Sequence, residues 1–244
     1  MEALNQLFVP FLSLVSVAEV GRNPTVKEEI AAGAGAATSA LMFTYPVHQA
    51  ADILFCHANL VPVGKDQLPH LELTRTVARR FNDRYSPAGP YFPEPEGLLS
   101  QAPLILGVDG AKMSKSRANA IALAASEDET ARLILGARTD GERQVTYEPQ
   151  RRPEVSNLVL LAALCLERQP AEVAHEVGHG GAASLKALLT ESLNERLWPL
   201  RQRRQQLTGD LTYLRHVLAE GTDRARDIAT ATLADVRRLM HNTY

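Results

Sequence analysis

The chain has 244 residues, of which 45% are hydrophobic and 22% charged, and its formal net charge at pH 7 is -2. This composition is typical of a soluble globular protein and excludes the collagenous and wholly disordered classes. The two cysteines, Cys56 and Cys165, are too few for a disulfide scaffold, so we expect a reducing, cytoplasmic setting. Residues 7–20 are apolar but too short to span a bilayer, and they lack the basic flank of a secretory signal.

The first part of the chain carries helical patterns that are interrupted by prolines and small residues. Residues 3–20 predict a helix that is broken at Pro10, and residues 27–32 predict a short helix. Pro46 suits the first position of a helix, because its missing amide hydrogen would have no partner there. We therefore expect the next helix to begin at Pro46 and to end near Ala58.

Two short apolar runs predict β-strands. Residues 60–63 end at Gly64 and predict a buried strand, and residues 104–106 form the second candidate. Between these runs, residues 66–84 carry an amphipathic helical pattern. Residues 86–97 contain four prolines and predict an irregular loop.

From residue 121 onward the chain is predominantly helical in pattern. The helical segments are expected over residues 154–168, 185–207, 211–219 and 223–240. We place a change of domain near residue 120, and we find no internal repeat.

Asp52 is the first candidate functional side chain. It lies in the helix after Pro46, between the apolar residues Ala51 and Ile53, and this pattern leaves two interpretations open. In one, Asp52 is a solvated residue on a surface helix. In the other, it lines a pocket and accepts a hydrogen bond from a buried donor, because a buried carboxylate requires a partner.

Two segments are suited to phosphate groups. Residues 61–67 combine a strand, a glycine and a helix start, which directs backbone N–H groups outward from the carboxyl end of a strand. This pattern alone is weak evidence for a site. Only five residues of the chain are lysines, and two of them, Lys112 and Lys115, lie within one pentapeptide. Their compact ammonium groups on flexible stems suit point contacts to phosphates.

Two further patterns have weaker functional interpretations. Residues 175–179 match the His-Glu-x-x-His pattern of zinc proteases, but the glycines around His179 indicate that the helix ends there. We therefore expect no metal site. A group of arginines is interpreted either as solvated helix faces or as phosphate contacts for an RNA. Its members are Arg196, Arg201, Arg203, Arg204, Arg237 and Arg238.

The pentapeptide Lys112-Met113-Ser114-Lys115-Ser116 matches the KMSKS loop of class I aminoacyl-tRNA synthetases at every position. Two further motifs precede it in the expected order. They are Thr44-Tyr45-Pro46-x-x-x-Ala50-Ala51-Asp52-Ile53-Leu54 and Val61-Pro62-Val63-Gly64-x-Asp66-Gln67-x-x-His70-Leu71-Glu72-Leu73-Thr74-Arg75. Together the motifs closely resemble bacterial tryptophanyl-tRNA synthetases. Further similarity at residues 81–82 and 156–158 extends the resemblance over most of the chain.

The resemblance implies an α/β fold with two domains. Residues 1–120 would form a Rossmann-type catalytic domain that ends in the KMSKS loop, and residues 121–244 an all-α anticodon-binding domain whose last helix packs back on the catalytic domain. The implied activity is that of a tryptophan–tRNA ligase working in the cytoplasm as a homodimer, without membrane contact. Its substrates would be tryptophan, ATP with Mg²⁺ and tRNA(Trp), and no protein-bound metal is expected.

The resemblance also assigns roles to residues. Asp52 would accept the indole N–H, and Lys112 and Lys115 would be the catalytic groups that stabilise the charge of the displaced pyrophosphate. The other residues of the tryptophan pocket would be Tyr45, Gln49, Val63 and Gln67. The other ATP-contacting residues would be Gly64, Lys65, Asp66, Leu104, Met113, Ser114 and Ser116.

Three departures from the family carry expectations of their own. The HIGH-like motif of the family, whose residues help to bind ATP, has no counterpart, so the resemblance predicts an N-terminally incomplete catalytic domain and leaves open whether this chain forms adenylate alone. Gln49 stands where methionine is common, and we hypothesise that it admits an indole carrying a polar substituent. Lys65 replaces a common acidic residue and reverses a charge beside the nucleotide.

Two alternatives accompany this interpretation. The first is a non-catalytic paralogue that binds an indole compound or a protein partner, which the missing motif favours and the two lysines of the pentapeptide oppose. The second is a tyrosyl-tRNA synthetase, which the Tyr-Pro-x-x-Gln-x-x-Asp pattern at residues 45–52 resembles. Residues 61–67 favour the tryptophanyl side.

Overall fold

The computed structural model describes residues 2–32, 39–100, 102, 104–113 and 117–242. The chain divides into two compact units, the first comprising Met1–Pro103 and Leu214–Tyr244 and the second Leu104–Tyr213. Within the described stretches, none of the helices has the length and apolar character needed to cross a membrane.

Helices form most of the first unit. They are α1 (Glu2–Leu12), α2 (Val17–Arg22), α3 (Pro24–Ala32), α4 (Ala40–Leu54), α5 (Leu68–Tyr85) and the larger part of α10 (Leu211–Leu239). Both α1 and α5 pack against α4. The stripe of α4 that meets them has no solvent exposure and consists of Val47, Ala50, Ala51 and Leu54. It joins Phe11 of α1 and Phe81 of α5 in one hydrophobic core.

A short parallel sheet lies against α5. Strand β1 (Leu60–Pro62) pairs with strand β2 (Glu96–Leu98), so that Val61 lies opposite Gly97. A Cβ atom on Gly97 would lie 3.1 Å from the side chain of Leu71 in α5. Glycine at this position therefore allows the helix to approach β2 closely.

Three expectations about strands are wrong. The first strand is not buried, because Leu60 is 51% exposed. β2 lies partly in the segment that was expected to be an irregular loop. Residues 104–106 contribute an isolated antiparallel bridge, between Leu106 and Lys112, in place of a strand. The physical reason is that pairing between distant segments decides where short strands form, whereas the local pattern only permits them.

Two prolines lie inside helices. Pro46 is buried within α4, which begins earlier because Ser39 caps it by accepting a hydrogen bond from the Met42 amide at 3.0 Å. The expected helix start at Pro46 is therefore wrong. Pro10 likewise lies inside α1, and the break in the helical pattern falls beyond it, where Ser16 caps α2.

The second unit is a bundle of helices. It contains α6 (Glu127–Leu135), α7 (Pro153–Leu166), α8 (Pro170–Val177), α9 (Gly181–Thr208) and the start of α10. The centre of its core is fully buried and includes Ile134, Val159, Leu185 and Leu189. Arg152 is buried beside this core, and its guanidinium pairs with Asp140 at 2.6 Å, as a buried charge requires.

α10 is one continuous helix where two helices were expected, over residues 211–219 and 223–240. Gly221 lies in its interior, where glycine costs about 1 kcal/mol relative to alanine. Burial of the C-terminal half outweighs this cost, because Leu233 and Val236 lie in the core of the first unit. From Leu214 onward, α10 accordingly groups with the first unit.

The first boundary between the compact units falls between residues 103 and 104. The sequence pattern predicted a change of domain near residue 120. Residues 104–113 group with the helical bundle because α7 holds them: Asn157 Oδ1 accepts a hydrogen bond from the Leu106 amide at 2.8 Å. The assignment of residues 1–120 to catalysis and of 121–244 to anticodon binding stays a prediction.

An ion pair between Glu19 of α2 and Arg80 of α5 joins these two helices. The carboxylate accepts two hydrogen bonds from the guanidinium, at 2.5 and 3.0 Å, and one from the Ser16 amide at 2.8 Å. These bonds, above all those from Arg80, lower the pKa of Glu19 to about 2. The pair therefore stabilises the fold above the ordinary carboxyl pKa of 4.5, and this contribution is lost as the pH falls toward 2.

Replacing Glu19 by glutamine should lower the free energy of unfolding by about 1 kcal/mol at neutral pH, since solvent screens part of the interaction. Urea denaturation at pH 7 and at pH 3 should give a smaller loss at the lower pH. There the unfolded wild-type chain holds this carboxyl protonated, and releasing the proton on folding offsets part of the stabilisation from the ion pair. Glu28→Gln, at an exposed position of α3, is the matched control and should change the free energy by less than about 0.5 kcal/mol. Equal losses for Glu19→Gln at both pH values would contradict the role of this ion pair.

Candidate active site

α4 carries three of the predicted pocket residues, Tyr45, Gln49 and Asp52. Their spacing of four and three positions places them on one side of the helix. The opposite side, which includes Val47 and Leu54, is buried in the core. The packing of α4 against α1 and α5 therefore determines where these three polar side chains lie.

The second group of predicted residues follows β1. Gly64 precedes a 3₁₀ turn at Lys65–Gln67, and a Cβ atom on this glycine would lie 2.6 Å from Asp66 Oδ1. Glycine thus permits the close approach of the Asp66 carboxylate to the backbone. Val63 ties the turn to the sheet, because its amide donates to the carbonyl of Leu98 at 3.1 Å.

Hydrogen bonds join the helix to this turn. Gln49 Nε2 donates to Gln67 Oε1 at 3.2 Å, and Gln67 Nε2 donates to Asp66 Oδ2 at 3.2 Å. Each carboxamide acts as a donor through its nitrogen, so the bonds run in one direction from α4 to the turn. The carboxylate at the end of the series can only accept, and this sets the orientation of both amides.

A buried histidine holds Tyr45. His70 is 1% exposed, and its Nε2 lies 3.1 Å from the Tyr45 hydroxyl while its Nδ1 lies 3.3 Å from Asn23 Nδ2. The Asn23 oxygen accepts a hydrogen bond from the Thr25 amide, so the nitrogen of its side chain faces the histidine as a donor. With Asn23 donating to Nδ1, a neutral His70 would carry its ring proton on Nε2 and donate it to the oxygen of Tyr45.

Asp52 lies at the edge of this group. Its side chain is 51% exposed, although the neighbouring residues Ala51 and Ile53 are buried, so it is neither enclosed nor fully solvated. Its carboxylate lies 3.7 Å from His48 Nδ1 on the preceding turn. Partial burial raises the pKa of Asp52 above its usual range, and His48 opposes this shift.

The remaining predicted residues are distributed over both units. Lys65 in the first unit and Lys112 in the second are exposed. Leu104 and Met113 of the second unit are 59% and 38% exposed. Three residues of the pentapeptide lie outside the described residues: Ser114, Lys115 and Ser116.

Two residues of this site had no role assigned from the sequence, Asn23 and His70. Asn23 precedes a proline at the start of α3, which is a typical pattern for a helix N-terminus. Its contact with His70 spans 47 positions of the chain and has no local sequence signal.

The His-Glu-x-x-His pattern does not lie on one helix. α8 ends at Val177, and Gly178 has a φ of +46°, so His175 and His179 are separated by the turn. Among the residues that the structure describes, histidine, cysteine and acidic side chains form no group of three that could hold a metal ion.

Arg201 fits neither interpretation of the arginine group. It is 14% exposed and donates to the carbonyl of Ala125 at 2.8 Å and to Thr130 Oγ1 at 2.9 Å, which ties α9 to the region of α6. Arg203 and Arg204 are exposed. Three further members are bonded to neighbouring side chains: Arg196, Arg237 and Arg238.

Known proteins match the chain over most of its length. The model of the family "tRNA synthetases class I (W and Y)" matches residues 3–197. The tryptophan–tRNA ligase of Thermotoga maritima is 37% identical over 240 residues, which cover 97% of this chain and 72% of that protein. The ligase of Treponema pallidum is 40% identical over 243 residues, covering 97% and 71%. A solved tryptophanyl-tRNA synthetase from Campylobacter jejuni, complexed with ADP and tryptophan, has a TM-score of 0.75 and 27% identity over 98% of this chain and 74% of that one.

The chain belongs to the class I tRNA synthetases of the tryptophan and tyrosine type. The Rossmann-type synthetase fold with added helices, expected from the motifs, is confirmed, and so is the expectation of a ligase. The named relatives are tryptophan enzymes, which confirms the tryptophanyl resemblance.

Replacing His70 by leucine should lower the free energy of unfolding by about 1–3 kcal/mol. The side-chain amide of Asn23 keeps its bond to the Pro69 carbonyl but loses the acceptor for its second N–H in a buried site. Urea denaturation at neutral pH measures this change. His175→Leu, at an exposed position of α8, is the matched control and should have an effect below about 0.5 kcal/mol. If the two variants lost equal stability, the hydrogen bonds of His70 would not be structural.

Proposed function

We propose that this chain carries the activity of a tryptophan–tRNA ligase. It activates tryptophan with ATP and transfers the aminoacyl group to tRNA(Trp). The observation that carries this proposal is the series of hydrogen bonds from Gln49 through Gln67 to Asp66, which connects two motifs through residues 18 positions apart. The identity of the chain to tryptophan–tRNA ligases over nearly its whole length supports it.

In the first step, an oxygen of the tryptophan carboxylate bonds to the α-phosphorus of ATP, and the bond from this phosphorus to the β-phosphate oxygen breaks. Pyrophosphate leaves with the electron pair, and its negative charge develops in the transition state. Lys112 and Lys115 would stabilise this charge, which makes the catalysis one of positioning and electrostatics. ATP enters as its Mg²⁺ complex.

The nucleotide would lie at the carboxyl end of β1. There the backbone N–H groups of the 3₁₀ turn after Gly64 suit phosphate oxygens, and the exposed Lys65 adds a positive charge. Gly64 and Asp66 would be further contacts to the nucleotide. Leu104 and the pentapeptide residues Met113, Ser114 and Ser116 complete the proposed contacts to ATP.

Tryptophan would lie beside the polar side of α4. Asp52 would accept the indole N–H, since an acceptor there rejects amino acids whose rings lack a donor. Tyr45 and Gln67 are both held by other side chains, His70 and Gln49, and this reduces the freedom that binding would have to remove. Val63 would contribute apolar contact.

Gln49 retains a specificity role in this proposal. Its nitrogen is used by Gln67. The carboxamide has two N–H donors and Gln67 uses one of them, so a polar group on the indole would find both the carbonyl oxygen and the second N–H of Gln49.

The assembly and setting of the protein are part of the proposal. We infer a cytoplasmic homodimer, with the helical second unit reading the anticodon of tRNA(Trp). The exposed Arg203 and Arg204 of α9 are suited to contacts with RNA phosphates. Among the described residues of α9, neither forms an ion pair with an acidic side chain, and Arg203 is bonded to Gln206.

Tryptophan-dependent exchange of radioactive pyrophosphate into ATP tests the ligase function. The wild-type chain should catalyse it, and Lys112→Ala should reduce kcat about 100-fold, as the loss of one group that stabilises transition-state charge does. Lys27→Ala removes an exposed lysine of α3 and is the matched control, with unchanged kcat expected. No exchange by the wild-type chain, combined with normal tryptophan binding, would favour the non-catalytic indole-binding alternative.

Replacing Asp52 by asparagine should weaken tryptophan binding about 10- to 100-fold, the effect of losing a charge-assisted hydrogen bond. Because the pKa of Asp52 is raised, wild-type affinity should fall on acidification at a higher pH than an ordinary aspartate would require. Calorimetric titration of tryptophan between pH 4 and 8 measures both effects, and this acid limb should be absent in Asp52→Asn. An identical pH profile for the two proteins would exclude Asp52 as the acceptor.

A further inference from the structure

The segment that leads into Lys112 is held by a side chain of the helical bundle. Asn157 of α7 accepts a hydrogen bond from the Leu106 amide at 2.8 Å and donates to the Leu106 carbonyl at 3.1 Å. One carboxamide thus binds both backbone groups of Leu106, as a neighbouring strand would. Leu106 in turn forms the antiparallel bridge with Lys112, so the backbone of the lysine is connected to α7 through a single residue.

A second carboxamide binds Lys112 from the other side. Asn119 is 3% exposed, and its Nδ2 donates to the carbonyl of Lys112 at 3.2 Å and to Asp109 Oδ1 at 2.7 Å. Its own backbone carbonyl accepts a hydrogen bond from the Val108 amide at 2.8 Å. Asn119 therefore connects the residue where the pentapeptide begins with the turn that precedes it.

The glycine at position 107 makes room for this contact. A Cβ atom on Gly107 would lie 2.3 Å from Asn119 Nδ2 and 2.8 Å from the Asn119 carbonyl oxygen. Such distances are far below van der Waals contact, so any larger residue would displace the carboxamide. The Gly107 amide also donates to the Ala111 carbonyl at 2.8 Å, which closes the turn.

Asp109 is held in its ionised form by the same contacts. Asn119 is the main donor that lowers the pKa of Asp109, and the Ala111 amide, at 3.0 Å from Oδ1, adds to the effect. Arg117 lies 3.8 Å from the other oxygen of the carboxylate. A charged acceptor strengthens the hydrogen bond from Asn119, because bonds to ionised groups are about twice as strong as neutral ones.

We propose that Asn119, together with Gly107 and Asp109, is a clasp that positions Lys112 for the stabilisation of the leaving pyrophosphate. Asn119 is a positioning residue: it acts through the backbone of Lys112 and touches no substrate. This inference rests on the proposed function, because it assigns to Lys112 the role described there.

The clasp predicts a selective kinetic effect of Asn119→Asp. The new carboxyl has the shape of the carboxamide but no N–H groups, so it loses the bond to Lys112 and faces the Asp109 carboxylate. In the pyrophosphate exchange reaction, kcat should fall about 10- to 100-fold, as a displacement near 1 Å of a catalytic group can cause. KM for tryptophan should change less than about twofold, since the proposed tryptophan contacts are in the first unit.

A double-mutant cycle with Lys112→Ala tests whether Asn119 acts through the lysine. In the Lys112→Ala background, Asn119→Asp should reduce kcat by less than about twofold, because the group it positions is already absent. An equal reduction in both backgrounds, or a rise in KM for tryptophan at unchanged kcat, would overturn the proposal. Asn194→Asp is the matched control: Asn194 is also hydrogen-bonded and lies in the same unit on α9, and its kcat should equal that of the wild type.

Hydrogen exchange examines the clasp without any catalytic activity. The amides of Gly107, Val108 and Ala111 should exchange at least about tenfold faster in Asn119→Asp than in the wild type, because their bonds belong to the clasp. Gly107→Ala should reproduce this pattern and the loss of kcat, because its Cβ atom would displace the carboxamide. This second variant tests the clasp even if Asn119→Asp does not fold. Unchanged exchange rates in a folded variant would overturn the clasp, whereas a wild-type protein inactive in pyrophosphate exchange would contradict only the proposed function.

Discussion

The burial of α4 is the constraint on which the candidate site depends. Val47, Ala50, Ala51 and Leu54 have no solvent exposure, and their contacts with α1 and α5 build the core of the first unit. Full burial of a Val or Leu side chain contributes about 1.5–3 kcal/mol, so rotating this helix about its axis would be costly. The polar residues of α4 repeat with the same helical period as its buried residues. Packing of the buried side therefore fixes the direction in which the polar side faces. Tyr45, Gln49 and Asp52 consequently share one surface, and the turn after β1 is joined to it by the bond from Gln49 to Gln67.

Side-chain amides and one histidine then give this surface its fine geometry. The amide of Gln49 is bonded to Gln67 of the turn, and His70 is bonded to both Tyr45 and Asn23. In the second unit, the carboxamide of Asn119 donates a hydrogen bond to the backbone carbonyl of Lys112 and so holds it in place. A buried polar group without a partner costs roughly 1–3 kcal/mol, so these series of bonds admit few alternative arrangements. The proposed binding residues would thereby be held in place before a substrate binds, which would lower the ordering cost of recognition.

The local sequence pattern correctly predicted elements in which apolar residues repeat with a clear helical period. The helix expected over residues 66–84 is observed as α5, Leu68–Tyr85, because its apolar residues repeat with the helical period and are buried together. The same reasoning failed for β2, whose residues Glu96–Leu98 form a strand only because β1 lies beside them. It also failed for α10, where burial of Leu233 and Val236 carries the helix through Gly221. The helix start predicted at Pro46 was wrong for a related reason, because the cap at Ser39 allows α4 to begin before Pro46.

The sequence by itself determined the class of the protein, the order of its motifs and the residue types at the candidate site. These features depend on neighbours within a few positions or on a match to known motifs, and both can be read along the chain. Only the tertiary structure decided which groups are partners: Asn23 with His70 across 47 positions, Gln49 with Gln67, and Asn157 with Leu106 across 51. It also decided that Asp52 is half exposed and that residues 104–113 group with the helical bundle. Contacts between distant residues depend on how whole elements pack, and packing energies are sums over many side chains that no local pattern contains.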